Sequence, residues 1–179
     1  MRPYWEKNQL YLLSFALAGP HQLVSKTPVH TAEDFKGKLV RLASPAVGEF
    51  LKLIGGEPVT LAEGEVYEAL QRGTVDGAIT SMSGIRTLGW HEVAHYFTMG
   101  NFTNGNLSIV IGTKIKNSLT PAQWKIVEDA YLEAERHHYT NLSKAVAADV
   151  EFLTNYSQTK EVYVLPDAER ARWDEIAQG

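Results

Sequence analysis

The chain has 179 residues, of which 44% are hydrophobic and 21% are charged, a composition typical of a globular protein with a real core rather than a disordered chain. The formal net charge of −4 argues against a basic face for nucleic acid or anionic membrane. The absence of cysteine excludes disulfides and thiolate chemistry.

The first apolar run, Leu10–Ala18, does not have the pattern of a signal peptide. Trp5, Glu6, Lys7 and Asn8 precede it, and no strong cleavage site follows it. The run is also too short to cross a bilayer. Its length and aromatic content predict a buried strand over Leu10–Leu17.

Strands and helices then alternate along the chain. Thr31 is predicted to cap a short helical turn with Asp34, and Gly73 fits a left-handed cap at a helix end. Strands separated by helices in this rhythm predict parallel βαβ units. The predicted strands are Lys38–Leu42, Pro58–Leu61, Val75–Thr80 and Asn106–Ile111, and the predicted helices are Pro45–Ile54 and Glu65–Arg72.

The C-terminal third is predicted to contain one long helix, or two that are nearly continuous. Thr120 and Gln123 form a capping box around Pro121, which is a strong helix start. Apolar residues then recur at spacings of three and four, and neither glycine nor proline occurs from Ala122 to Glu161. At about 1.5 Å per residue such a helix is longer than one compact lobe, so we expect it to span two bodies or two chains.

Two predicted strands end in side chains that suit an anion. Arg41 is the penultimate residue of KLVRL and is followed by Ser44, while Thr80 ends VDGAIT and Ser81 comes directly after it. Ligands of open parallel sheets bind at the carboxyl ends of strands, and arginine pairs bidentately with carboxylates. An arginine in a surface ion pair is the alternative interpretation. The predicted ligand-binding residues at this rim are Arg41, Ser44, Thr80 and Ser81, with the flanking aromatics Trp90 and Phe102.

The segment His91–His95 (HEVAH) matches the H-E-x-x-H pattern of zinc hydrolases. In those enzymes two histidines at i and i+4 of one helix bind the metal and the glutamate acts as base. Here Gly89 lies two residues before the segment and Gly100 follows soon after it, so any helix is brief, and no third ligand is obvious. A zinc hydrolase is therefore an alternative only, and we predict no functional metal, no cofactor and no enzymatic activity.

Four segments resemble the solute-binding proteins of TRAP transporters, namely DFKGKLVRLASP, LKLIGGEPVTL, GEVYEALQRGTVDGAIT and WHEVAHY. The resemblance extends roughly from Trp5 to Gly179, and the third segment is its most specific part. These transporters are tripartite, ATP-independent periplasmic systems for organic acids. The resemblance thus implies a periplasmic protein that binds a small carboxylate ligand and acts with TRAP membrane subunits.

The family fold implied by this resemblance has two α/β lobes around a cleft, with hinge strands and a long helix touching both. We expect an α/β fold whose periplasmic-binding-protein-like lobe has a parallel-rich sheet, together with a long C-terminal helix. The expected parts are an N-terminal and hinge strand segment at 1–30, a ligand-binding lobe at 31–118, a connecting helix at 119–157, and a C-terminal strand and helix at 158–179.

The resemblance also implies roles for individual residues. Arg41 matches the family arginine that pairs with the ligand carboxylate, and Thr80 matches a position that is often a ligand-contacting asparagine. Glu63 matches a position that is often aromatic and lines the cleft, so it would select a ligand with a hydroxyl or ammonium group, unless it is an exposed carboxylate at a helix start. Because Ala78-Ile79-Thr80 departs from the family's QEN, no particular ligand specificity is carried over.

Family precursors are much longer than this chain and begin with a signal peptide. We therefore expect a fragment, an early-truncated gene model or a short paralogue. Missing lobe structure would expose apolar surface and a strand edge, which predicts a homodimer. The long helix, through Leu142, Val146 and Leu153, is expected at its interface. A dimeric remnant that binds no ligand is the remaining alternative.

Overall fold

The computed structural model describes the backbone of residues 2–42 and 45–178 and the side chains within 4–42 and 47–178. Short 3-10 turns at Ala32–Phe35, Glu63–Glu65 and Trp90–Glu92 interrupt the sequence of longer elements. The strands are β1 (Leu10–Ser25), β2 (Leu39–Arg41), β3 (Glu57–Val59), β4 (Gly77–Ser81), β5 (Tyr96–Gly112) and β6 (Glu161–Val164). The helices are α1 (Arg2–Lys7), α2 (Pro45–Leu53), α3 (Val66–Arg72), α4 (Met82–Thr87), α5 (Thr113–Ser118), α6 (Pro121–Asn155) and α7 (Asp167–Gln178).

The strands form one six-stranded sheet in the order β3-β2-β4-β1-β5-β6. Strand β2 is parallel to both β3 and β4, and β5 is parallel to β6, whereas β1 is antiparallel to β4. The parallel pairs are joined through helices, as βαβ units require. The predicted α/β class with a parallel-rich sheet is therefore confirmed.

Strands β1 and β5 are much longer than the sequence predicted. β1 continues past Leu17 to Ser25, and β5 begins at Tyr96 rather than at Asn106. Both strands contain a residue with left-handed backbone, Gly19 with φ of 82° and Asn101 with φ of 45°. Such residues interrupt the regular alternation by which strands are recognised in a sequence, which explains the shorter predictions.

The predicted long helix is confirmed as the single 35-residue helix α6. The backbone N–H of Thr120 donates to the Gln123 side chain at 2.9 Å, and the Gln123 N–H donates to Thr120 Oγ1 at 3.3 Å. This reciprocal capping box satisfies donors that a helix start leaves without intrahelical partners. Within the described part of the chain, neither α6 nor any other helix combines the length and apolarity needed to cross a membrane.

The chain divides into two compact units. Unit 1 consists of Met1–Ala18 and Asn106–Ala145, and unit 2 consists of Gly19–Gly105 and Val146–Gly179. Because the boundaries fall inside β1, β5 and α6, each of these three elements contributes residues to both units. The four-part division drawn from the sequence stays a prediction.

Unit 2 has a core on each face of its part of the sheet. Consecutive strand residues point to opposite faces, and Ala78 and Ile79 accordingly belong to different apolar clusters. We call these clusters core A, which contains Ile79, and core B, which contains Ala78. Core A is built mainly from Leu23, Phe35, Val40, Leu51 and Trp173, and core B mainly from Val24, Leu70, Ile85, Trp90, Phe97 and Leu153.

The burial of Leu153 corrects one expectation from the sequence. This side chain, near the end of α6, is fully buried in core B, where its burial contributes roughly 1.5–3 kcal/mol. It is therefore unavailable for an interface with another copy, and its predicted place in a dimer interface is wrong. The stripe of α6 is instead covered by the chain's own core at this end. Leu142 and Val146 are half-buried.

In unit 1, the first part of α6 packs against the first half of β1. Tyr139 donates its hydroxyl to the carbonyl of Phe15 at 3.0 Å, and His138 Nε2 lies 2.8 Å from the carbonyl oxygen of Leu17. The N–H of Thr113 donates to the carbonyl of Gln9 at 2.9 Å, which joins the end of β5 to the start of β1. Hydrogen bonds between helix and strand thus help to hold unit 1 together.

Candidate functional site

Arg41 occupies the carboxyl end of β2 and is almost wholly buried, with 6% of its surface exposed. Its Cα is in register with Ala78 of β4 on one side and with Val59 of β3 on the other. The guanidinium carbon lies 5.6 Å from the centre of the Trp90 ring, and Nε donates to the carbonyl of Leu61 at 3.3 Å. The predicted placement of this side chain at a strand end is therefore found.

The charge of Arg41 lacks a strong partner in the described structure. The ion pairs formed by the described residues do not include Arg41. Burial lowers the pKa of the guanidinium, and the negative charge of Glu63 raises it in part. Arginine nevertheless stays charged, and a buried cation without a counterion is costly. The site therefore favours an incoming anion.

Thr80 lies near Arg41 on the same face of the sheet. It follows Ala78 by two residues on β4, so its side chain leaves the strand on the side of core B, where Trp90 also lies. Ser81, the next residue, caps α4, because its Oγ accepts the N–H of Gly84 at 3.1 Å and lies 3.1 Å from Ser83 Oγ. The sheet thus places Thr80 on the face that carries Arg41, whereas the Ser81 hydroxyl is engaged at the start of α4.

The two aromatic residues of the predicted site have different surroundings. Trp90 is fully buried and supports the guanidinium of Arg41 from within core B. Phe102 packs on the side of core A, with ring centroids 6.0 Å from Phe35 and 5.5 Å from Trp173. Phe102 therefore lies on the face of the sheet opposite to the face that carries Arg41.

One further predicted position follows β3 in the chain. Glu63 is exposed and begins the 3-10 turn Glu63–Glu65, two residues after the Leu61 carbonyl that Arg41 contacts. Ser44 lies outside the described residues. Of the predicted set, the structure places Glu63, Thr80 and Trp90 around Arg41.

The sequence analysis missed three residues near this site, because one strand was predicted to end at Leu17 and the other to begin at Asn106. Antiparallel pairing of β1 with β4 puts His21 opposite Ser81 and Gln22 opposite Thr80. Gln22 is buried and forms a reciprocal pair with Asn101, donating to its Oδ1 at 2.6 Å and accepting its N–H at 2.8 Å. The only local signal was that polar side chains follow Gly19-Pro20 within an otherwise apolar stretch.

The surroundings of His21 lower the pKa of its imidazole. Its side chain is half-buried, and burial lowers the pKa of the imidazole below its ordinary value of 6.5. The positive charge of Arg41 lowers this pKa further. His21 is therefore biased toward its neutral form, which can donate and accept hydrogen bonds without adding charge.

The HEVAH segment does not adopt the geometry of a zinc-hydrolase helix. It forms only the 3-10 turn Trp90–Glu92, so His91 and His95 are not presented on one face of an α-helix. The His91 ring is buried against Phe152 and Tyr156, at centroid distances of 5.4 and 4.7 Å. Across the described residues, histidine, aspartate and glutamate form no group of three or more suited to a metal ion.

With this geometry established, comparison with known proteins identifies the family. The DctP family, described as bacterial extracellular solute-binding protein, family 7, matches residues 2–179, and the chain belongs to this family. The resemblance to TRAP solute-binding proteins seen in the sequence is thereby confirmed. The family is one of solute-binding proteins, not of enzymes.

Two relatives give the extent of the similarity. YiiZ of Salmonella typhimurium, an uncharacterized protein, is 35% identical over 108 residues, which are 60% of this chain and 33% of YiiZ. The ectoine/5-hydroxyectoine-binding periplasmic protein UehA of Ruegeria pomeroyi is 25% identical over 177 residues, which are 98% of this chain and 52% of UehA. The chain therefore spans a third to about half of the length of these relatives.

A solved structure shows the same fold. A TRAP periplasmic solute-binding protein from Sulfitobacter sp. NAS-14.1, with bound β-D-galacturonate, superposes with a TM-score of 0.88 at 22% identity. The match covers 98% of this chain and 58% of the Sulfitobacter chain. At this identity the similarity establishes the fold, which is that of periplasmic binding proteins.

Proposed function

We propose that this protein is the solute-binding component, or part of it, of a TRAP-type secondary transporter and that it captures a small organic acid through Arg41. The observation that carries the proposal is the buried guanidinium at the end of β2, which has one hydrogen bond and no ion pair among the described residues. A ligand carboxylate would supply the missing counterion.

The chemistry of the proposed contact follows from the position of the guanidinium. Nε is directed to Leu61, so the terminal nitrogens are the donors that a carboxylate would accept from. The buried Trp90 ring, 5.6 Å from the guanidinium carbon, would restrict the motion of the Arg41 side chain and so reduce the entropy lost on binding. Thr80 would add a neutral hydrogen bond, and Ser44, Ser81 and Phe102 stay proposed contacts.

The relatives support the ligand class and the setting. UehA is by name a periplasmic binding protein, and the Sulfitobacter structure holds galacturonate, a sugar acid with one carboxylate. By extension, we infer that this protein acts in the periplasm, that its ligand is a small carboxylate, and that its partners are TRAP membrane subunits. It would then bind and deliver the ligand without altering it chemically.

The test is calorimetric titration of the chain and its variants with galacturonate, succinate and butyrate. We expect at least one of these acids to bind, and Arg41→Ala to weaken that binding by about 2–5 kcal/mol, because a buried charge pair is lost. Arg41→Lys should not restore it, since lysine cannot form the planar bidentate contact.

The matched control is Arg72→Ala, which removes an exposed arginine that pairs with Glu68 on the surface of α3. Its affinity for the acids should equal that of the unmodified chain. An Arg41→Ala variant that binds the acids as tightly as the control would contradict the proposed function.

A further inference from the structure

Glu63 places a negative charge beside the arginine of the proposed site. The Arg41 guanidinium is anchored to the carbonyl of Leu61 at 3.3 Å, and Glu63 follows two residues later, at the start of an exposed 3-10 turn. The anchor therefore fixes the cation next to the segment that carries the carboxylate. An acidic residue so close to an anion site is unexpected if the ligand carries negative charge alone.

The charges of Glu63 and Arg41 interact without forming an ion pair among the described contacts. The ion pairs of the described residues include neither Arg41 nor Glu63. The neighbouring Glu65 is, by contrast, occupied, because its carboxylate accepts the N–H of Ala62 at 3.0 Å. The field of Glu63 does reach the guanidinium, since it offsets part of the lowering of the Arg41 pKa that burial causes.

This arrangement discriminates among acids by their second functional group. A carboxylate on Arg41 places the rest of the ligand in the field of Glu63. A second carboxylate there would be repelled, an alkyl group would gain nothing, and an ammonium or amidinium group would be attracted. Because Glu63 is exposed, the attraction is that of a partly screened pair rather than of a buried one.

We propose that the site selects zwitterionic organic acids, whose carboxylate binds Arg41 while a cationic nitrogen faces Glu63. This inference rests on the proposed function, because it assumes that Arg41 holds the carboxylate. It goes further in assigning Glu63 the role of specificity determinant for the opposite end of the ligand.

The experiment compares three four-carbon probes that differ only at the end remote from the first carboxylate, namely butyrate, succinate and 4-aminobutyrate. Glycine and β-alanine are added to vary the separation of the two charges. Calorimetry is performed on the unmodified chain, on Glu63→Gln and on Glu68→Gln. The last variant removes the same charge from an exposed position on α3 and serves as the matched control.

For the unmodified chain we expect at least one zwitterion to bind about five-fold more tightly than butyrate, the order of an exposed charge pair, and succinate to bind no better than butyrate. Glu63→Gln should remove the advantage of the zwitterion and improve succinate, while Glu68→Gln should change neither. Added salt should reduce the preference, because the pair is exposed.

The outcomes separate the two proposals. Binding of the simple acids that depends on Arg41, with no zwitterion preferred or with the preference unchanged in Glu63→Gln, overturns the role of Glu63 and leaves the proposed function standing. If every probe fails to bind, or binds equally well to Arg41→Ala, both proposals are overturned.

Discussion

His21 and Arg41 illustrate how single residues in this site influence one another. Arg41 is held by a backbone carbonyl and an indole ring, and its charge lowers the pKa of His21 in addition to the effect of burial. While the imidazole is neutral, the site carries only the positive charge of Arg41, which a single ligand carboxylate can balance. Protonation of His21 would add a second positive charge to the same edge of the sheet.

His21 is expected to make the stability of the protein depend on pH. Because its pKa in the folded state lies below the ordinary value of 6.5, the unfolded chain binds more protons as the pH falls through that value. Stability from this residue is therefore fully present above pH 6.5, decreases below it, and levels off once the native imidazole also becomes protonated. The measurement is the denaturant midpoint from about pH 8 to about pH 5.

The test variant is His21→Gln, which keeps polarity but does not titrate, and the control is His137→Gln on the exposed surface of α6. His21→Gln should lose less stability on acidification than the unmodified chain, and His137→Gln should follow the unmodified chain. Identical pH profiles for all three proteins would show that His21 is not the group responsible.

At the scale of elements, the end of α3 depends on one glycine. Gly73 has φ of 74°, in the left-handed region, and its N–H donates to the carbonyl of Leu70 at 3.2 Å. The chain turns there and enters β4, the strand that carries Thr80. The cap therefore links a helix end to the position of a residue in the proposed site.

Replacement of Gly73 by alanine should destabilise the fold by about 1–2 kcal/mol, because a side chain disfavours left-handed backbone. Gly64→Ala is the control, since its φ is not left-handed and an added Cβ would meet no atom within 4 Å. Free energies of unfolding from urea titration provide the comparison. Equal values for both variants would mean that the strain at Gly73 is relieved by local rearrangement.

The elements that could be predicted were those with strong local signals. Helix α6 has a capping box and an uninterrupted apolar period, and α3 has a glycine at its C-terminal cap, so both were found close to their observed bounds. The carboxyl ends of neighbouring parallel strands lie at the same edge of a sheet. Because β2 and β4 are such a pair, Arg41 and Thr80 were predicted to lie close together.

The rest of the site depends on pairing between distant residues. The insertion of β1 between β4 and β5, antiparallel to β4, is what brings His21 and Gln22 to this edge. No local sequence pattern predicts that register. The left-handed backbone of Gly19 and Asn101 interrupts the alternation within the two long strands, so their full lengths could not be predicted. The face of the sheet on which Phe102 lies could not be predicted for the same reason, since the face of a strand residue depends on register and bulges.

At the scale of the whole molecule, the two units differ in how well their apolar side chains are covered. In unit 2, cores A and B enclose their large side chains, including Leu153 of α6. Among the described residues, most of the exposed large apolar side chains fall in unit 1. They are Tyr4, Phe15, Leu107, Ile109, Ile115, Ile126, Leu132 and Tyr139.

The exposed part of β5 in unit 1 is suited to association with a second copy of the chain. Leu107 and Ile109 alternate along the strand and therefore share a face, with 58% and 43% of their surfaces exposed. An exposed apolar strand face of this kind can pack against its own copy around a two-fold axis.

The homodimer thus stays a prediction, now centred on β5 rather than on the end of α6. Leu107→Glu should convert a dimer into a monomer, because burial of a carboxylate in a paired apolar face is costly. Val164→Glu is the matched control, as Val164 is also a strand residue, is 70% exposed and belongs to unit 2. Light scattering at micromolar concentration should give twice the chain mass of 19.9 kDa for the unmodified protein and the control.

The melting curve decides how a monomeric result is to be interpreted. A dimer of this kind would bury on the order of 2,000 Å², so its melting temperature should rise with protein concentration. The unmodified chain could instead scatter as a monomer and melt cooperatively at a temperature independent of concentration. In that case the exposed face of β5 is stable in water, and the prediction of a homodimer is wrong. If Leu107→Glu lowers the mass and also removes the dependence on concentration, the face of β5 is the interface.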